Sequence, residues 1–138
     1  MSNRMLLAID GSEHSLRAAK EAIKLALLTR SIVDIVLVAD FAKTKSEVLH
    51  TKNREDLAMI RRKRLRPAEE LLEAKGISYQ THILHGDPGP AIVEFANQGD
   101  FDMVVIGSRG LNKLQEMVLG SVSHKVMKRV NCPVLIVK

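Results

Sequence analysis

Short, unbroken apolar runs alternate along the chain with longer stretches in which apolar residues return every third or fourth position. Met5-Leu6-Leu7-Ala8-Ile9 stops at Asp10-Gly11-Ser12, the pattern of a strand buried on both faces. Ser12 or Glu13 then starts a helix, with Leu16, Ala19, Ile23, Ala26 and Leu27 at helical spacing through Thr29. Ile32 to Ala39, β-branched and apolar except for Asp34, reads as a second strand. Phe41 to His50 is polar, has no period and predicts a loop. From Lys52 to Lys75, Leu57, Ile60, Arg64, Leu65, Ala68, Leu71 and Leu72 mark a helix, and Gly76 stands where a C-cap glycine belongs. Pro67 inside it predicts a kink or the start of a new segment, because proline lacks an N–H and clashes with the preceding turn.

Ile77 to Leu84 alternates and reads as a third strand. In the turn after it, Asp87 is an N-cap and Pro88 occupies the first helical position. A short helix reaches about Asn97 and ends at Gly99; Phe101 to Ile106 is the fourth strand. Gly107 to Gly120 is a glycine-punctuated loop, Ser121 to about Arg129 a helix, and Pro133 to Val137 the fifth strand. This rhythm is that of an α/β fold with a parallel sheet, right-handed crossovers and helices on both faces. Ligands of such sheets sit beyond the carboxyl ends of the strands, where the strand order reverses. The segments to inspect are therefore Asp10 to Glu13, Ala39 onward, His85 to Pro90 and Gly107 to Ser123.

Composition narrows the function. With 138 residues, 46% hydrophobic and 27% charged, the chain has the size and balance of one globular domain spanning 1–138. Only 3% is aromatic and there is no Trp, which argues against a stacking platform for single-stranded nucleic acid. The net charge of +5 suits an anionic ligand without pointing to DNA. A lone Cys132, the lack of a secretory apolar run after Met1, and no stretch long enough to span a bilayer are the pattern of a cytoplasmic protein with no membrane partner.

The chemistry concentrates late in the chain. Gly107-Ser108-Arg109-Gly110 follows a buried strand, and Gly120-Ser121-Val122-Ser123 opens a helix after nine intervening residues. Glycines allow close backbone approach, and a helix N-terminus presents N–H groups and a positive dipole end to an anion. Ser121 and Ser123 add hydroxyls; Arg109 and Lys113 add charge. The spacing is neither that of a P-loop nor that of the dinucleotide fingerprint, which belongs after the first strand. Taken alone, the Gly-x-x-Gly segment is also compatible with simple strand-to-helix punctuation.

Ile9-Asp10-Gly11-Ser12, the Gly107/Gly110…Gly120-Ser121 motif and the ending Asn131-Cys132-Pro133-Val134-Leu135-Ile136-Val137 together resemble the universal stress protein family over the whole chain. The resemblance implies an adenine nucleotide alpha hydrolase-like three-layer sandwich, strand order 3-2-1-4-5. It also implies a homodimer paired through the last strand, Pro133-Val137, and the ATP-binding branch of the family, with magnesium on the phosphates. By position, it implies that Ala8 and Asp10 face the adenosine and that the backbone of Val38 and Ala39 meets the adenine edge. Gly107, Arg109 and Gly110 then lie near ribose and phosphates, and Gly120, Ser121, Val122 and Ser123 hold the phosphates. Many members carry a histidine where this chain has Val38.

Three activities are compatible with that resemblance: a nucleotide-gated regulator of stress survival, a slow ATPase or autophosphorylating enzyme using Ser121 or Ser123, and a nucleotide-free partner module. The sequence offers no full phosphoryl-transfer set, which favours the regulator. The basic run Arg61 to Arg66 reads as a solvated helix face, with Glu55, Asp56, Glu69 and Glu70 nearby, and not as a nucleic-acid site. His82, His85 and Asp87 are poorly spaced for one metal ion. His124 is compatible with phosphate contact or with solvent. Cys132 reads as a buried, inert thiol, and Met103, Met117 and Met127 as core fillers.

Overall fold

The computed structural model describes residues 3–39, 54–110 and 119–138; the Phe41 to His50 loop, Lys113 and Met117 lie outside the described residues. The elements run β1 (Asn3–Ala8), α1 (Glu13–Thr29), β2 (Ser31–Ala39), α2 (Arg54–Ala74), β3 (Tyr79–His85), α3 (Pro88–Gln98), β4 (Met103–Gly107), α4 (Ser121–Arg129) and β5 (Val134–Val137). The sheet has five strands, all parallel, in the order β3-β2-β1-β4-β5. Leu6 stands opposite Asp34 on one side and Val104 on the other, so β1 and β4 flank the reversal of strand order.

The unbroken apolar runs are explained by two cores. Met5, Leu7, Ile9, Val33, Ile35, Leu37 and Val105 face α1 and α2; Leu6, Ala8, Val36, Val104 and Ile106 face α3 and α4. On α1 the buried face is mostly small: Ala18, Ala19, Ala22, Ile23 and Ala26, an arrangement that lets the helix lie close to the strands. Leu27, expected on that face, is 52% exposed, because it lies off the arc these alanines define. Ser12 caps α1, accepting the Ser15 N–H at 3.1 Å.

α2 runs unbroken through Pro67, so no new segment begins there. It ends at Gly76 (φ +67) in a Schellman turn: the Gly76 N–H reaches the Glu73 carbonyl and the Ile77 N–H the Leu72 carbonyl, each at 3.0 Å. Asp34, the polar interruption of β2, is 1% exposed. It is paired across the strands with Arg4 at 2.7 Å and His82 at 3.0 Å. The Arg4 guanidinium lies 4.9 Å from the centre of the Phe101 ring, and His82 sits against Phe95. Met103 packs against the core as expected, whereas Met127 is 46% exposed on the outer side of α4.

Candidate functional site

The strand-order reversal opens a cleft of about 230 Å³ at the carboxyl ends of β1, β2 and β4. The end of β1 and the turn after it contribute Ala8, Ile9 and Asp10; β2 contributes Val36, Leu37 and Val38. The β4–α4 connection brings Gly107, Arg109, Gly110, Gly120, Ser121, Val122 and Ser123. Of the residues that the resemblance placed in the site, Ala39 alone stays out of the lining. It is buried, and its carbonyl accepts the Gly86 N–H at 3.1 Å, which carries the β2–β3 ladder past the cleft.

The ends of the β4–α4 connection are fastened by backbone bonds. The Ser108 N–H donates to the Val137 carbonyl, and the Gly120 N–H donates to the Ser108 carbonyl, both at 2.7 Å. A Cβ on Gly107 would stand 2.8 Å from the His14 carbonyl carbon and 2.9 Å from its oxygen, so glycine here is what lets α1 lie against β4. A Cβ on Gly110 would meet Asp10 Oδ2 at 2.6 Å, so this glycine makes room for the carboxylate. At Gly120 the nearest atom to such a Cβ is 3.4 Å away, an ordinary contact. The fold itself therefore has little need of glycine at that position.

Asp10 accepts the Ser12 N–H through Oδ1 at 2.8 Å. It organises the turn into α1, while Ser12 and not Asp10 is the helix cap. The first turn of α4 has a glycine N-cap and therefore no side-chain acceptor on its amides. The two serines of that turn differ. Ser121 is exposed; Ser123 is buried and donates its hydroxyl hydrogen to the Gly107 carbonyl at 2.5 Å. What Ser123 retains toward an anion is its backbone N–H. His124 is exposed.

The sequence did not single out Ser15, Arg64, Asp87, Pro88 and Ile92 as lining the cleft, yet all five do. Asp87 and Pro88 open α3, and Asp87 makes no side-chain cap bond, so its carboxylate is not spent on its own helix. A signal existed for these two, since His85 to Pro90 is one of the strand-to-helix loops at the ligand end of the sheet. For Arg64 the signal was its place in the helical period with Leu57, Ile60, Leu65 and Ala68, which puts it on the inward face of α2 without pointing to the cleft. His82 is bonded to Asp34 and stands opposite Val36 in the middle of β3, without itself lining the cleft. Among the described residues, no group of three or more His, Cys, Asp or Glu is placed to hold a metal ion. None of their helices is long and apolar enough to cross a membrane. Cys132, expected to be buried, is half-buried, and that partial burial pushes its thiol pKa above the ordinary value.

Comparison with known proteins follows the same line. The family model described as "Universal stress protein family" matches residues 1–138. Universal stress protein YxiE of Bacillus subtilis is 35% identical, with 100% of both chains covered. Universal stress protein MJ0531 of Methanocaldococcus jannaschii is 34% identical over 98% of this chain and 81% of its own length. Among solved structures, MJ0577 of the same archaeon superposes with a TM-score of 0.84 at 30% identity, covering 100% of this chain and 96% of that one. A universal stress protein solved in complex with cAMP superposes with a TM-score of 0.71 at 27% identity, covering 99% and 96% of the two chains.

Proposed function

Because the chain belongs to the universal stress protein family, we propose that it is a single-domain, cytoplasmic, ATP-binding regulator of stress survival. The observation that carries this reading is one cleft at the strand-order reversal, lined together by Asp10, Val38, the Gly107–Gly110 turn and the uncapped first turn of α4. An aliphatic floor of Ala8, Val36 and Val38 suits a base. Arg109 and the amides of Ser121, Val122 and Ser123 suit phosphates, by charge and by the positive end of the helix dipole. The relative solved with cAMP supports an adenine nucleotide as ligand class.

Magnesium fits this donor set as an ion carried by the phosphates. Among the described residues, Asp10 and Asp87 are the carboxylates of the cleft, and such an ion needs no more than one or two of them beside phosphate oxygens and water. It would neutralise phosphate charge. The protein acts as a homodimer through β5, an apolar edge strand whose four residues are only half-buried. Nucleotide works on this dimer by differential affinity for two of its states.

Calorimetric titration with Mg-ATP, and with AMP in parallel, tests the reading. ATP binding tighter than AMP is the expected result. Gly120→Val should weaken ATP at least tenfold in protein shown to be folded, since a side chain there obstructs the ligand's approach while the fold leaves ordinary contact distance for its Cβ. Absence of heat with both nucleotides, in protein shown to be free of co-purified ligand, overturns the reading.

A further inference from the structure

Arg64 lies in the middle of the basic run on α2, where Arg62, Lys63 and Arg66 are exposed and Arg61 is half-buried without lining the cleft. Arg64 is half-buried instead and lines the cleft with Asp10 and Ser15. It also lines a smaller hollow of about 110 Å³ between the start of α1 and α2, so it stands at the boundary of the two spaces.

What brings it there is Gly11. That residue has φ +89, and a Cβ on it would stand 2.9 Å from Arg64 Cγ and 3.2 Å from Arg64 Cβ. The stem of Arg64 therefore occupies the volume a side chain at position 11 would take. The arginine is laid across the β1–α1 turn toward the cleft, where a residue one position away points to water.

We propose that Arg64 is a ligand-binding residue whose guanidinium pairs with phosphate oxygens of the nucleotide, from a different element than Arg109 and the α4 amides. This rests on the nucleotide reading above. Arginine has the right chemistry for such a contact. A planar guanidinium matches phosphate oxygens two at a time, and its five N–H donors let it serve a protein partner and a phosphate together. The hollow beside it leaves the head room to adjust as the ligand enters.

The test is calorimetry at fixed salt with ATP and with adenosine, its uncharged counterpart, on wild type, Arg64→Gln and Arg64→Lys. Glutamine keeps much of the stem over Gly11 and removes the charge. In Arg64→Gln, ATP affinity should fall about tenfold and adenosine affinity change less than twofold, with thermal unfolding close to wild type. Arg64→Lys should recover part of the loss, and it serves as the readable variant if the glutamine form does not fold. Unchanged ATP affinity, or equal losses for ATP and adenosine, overturns the proposal. If wild type binds neither ligand, the nucleotide reading itself has failed and this proposal falls with it.

Discussion

Gly107→Ala places a methyl group 2.8 Å from the His14 carbonyl carbon, 2.9 Å from its oxygen and 3.0 Å from its Cβ. Two of these atoms are backbone in the first turn of α1, so no rotamer change clears them. α1 must move, yet Ala18, Ala19, Ala22 and Ala26 are each no more than 2% exposed against the sheet. Shifting the helix opens gaps along that whole face. Overpacking of this kind costs about 1–3 kcal/mol, and the backbone contact argues for roughly 2. Gly120→Ala is the internal control: its φ is −68° and the nearest atom is 3.4 Å away, so what remains is the poorer N-cap, below about 1 kcal/mol. Urea unfolding reads the difference. With a slope near 2 kcal/mol per molar, the Gly107→Ala midpoint should fall by about 1 M and that of Gly120→Ala by less than half as much. Equal midpoints for Gly107→Ala and wild type, or an equal fall in both variants, would refute the assignment of Gly107 to packing and of Gly120 to the ligand.

Ser123→Ala removes the hydroxyl that serves the Gly107 carbonyl and should lower the unfolding free energy by about 1–3 kcal/mol, read by urea denaturation. Arg4→Met takes the guanidinium from the buried Asp34 carboxylate and leaves it the His82 hydrogen bond; because Arg4 is 37% exposed, the cost should be about 2 kcal/mol, below the roughly 3–5 of a fully buried pair, by the same assay. Tyr79→Phe acts through pH. The Tyr79 hydroxyl, donating to Glu73 at 2.6 Å, and then Arg66 hold the Glu73 carboxyl below its ordinary value, so the stability they contribute is present above the unfolded-state pKa and lost as pH falls through the folded one. The variant's urea midpoint should therefore lie below wild type at neutral pH and converge with it as acidification carries Glu73 through its lowered folded-state pKa, and an offset that stays constant with pH would contradict the linkage. Cys132, pushed up by burial, should alkylate with iodoacetamide more slowly at pH 8 than an unstructured cysteine peptide.

Elements marked by local chemistry could be read from the sequence. Gly120 and Ser121 announce the start of α4, Gly76 stops α2, and apolar runs broken by Asp10 and Gly107 delimit strands. Each depends on neighbours a few residues away. What escaped depends on register and helix rotation. The pairing of Asp34 with Arg4 and His82 exists because β2 lies between β1 and β3 in one particular register, and no local pattern encodes that. Leu27 fits a helical period with Ala19, Ile23 and Ala26, but Ala18 and Ala22, which complete the buried arc of α1, turn that arc away from it. Arg64 differs from Lys63 only in the direction in which α2 turns it, and Gly11, the residue that receives it, is more than fifty positions away. Ala39 shows the opposite error: it lies one residue beyond the cleft because the β2–β3 ladder continues past Val38.

α4 has nine residues, a length at which an isolated helix does not persist in water. It is held by Val126 in the core and by the Ser123 hydroxyl on Gly107, both behind its first turn or at the end of it. The opening amides are thus at once the least secured hydrogen-bond donors of the helix and the ones aimed into the cleft. If the cleft takes the proposed nucleotide, these amides gain their acceptors only from it, and slowed exchange of the Ser121 to Ser123 amides with solvent deuterium gauges occupancy.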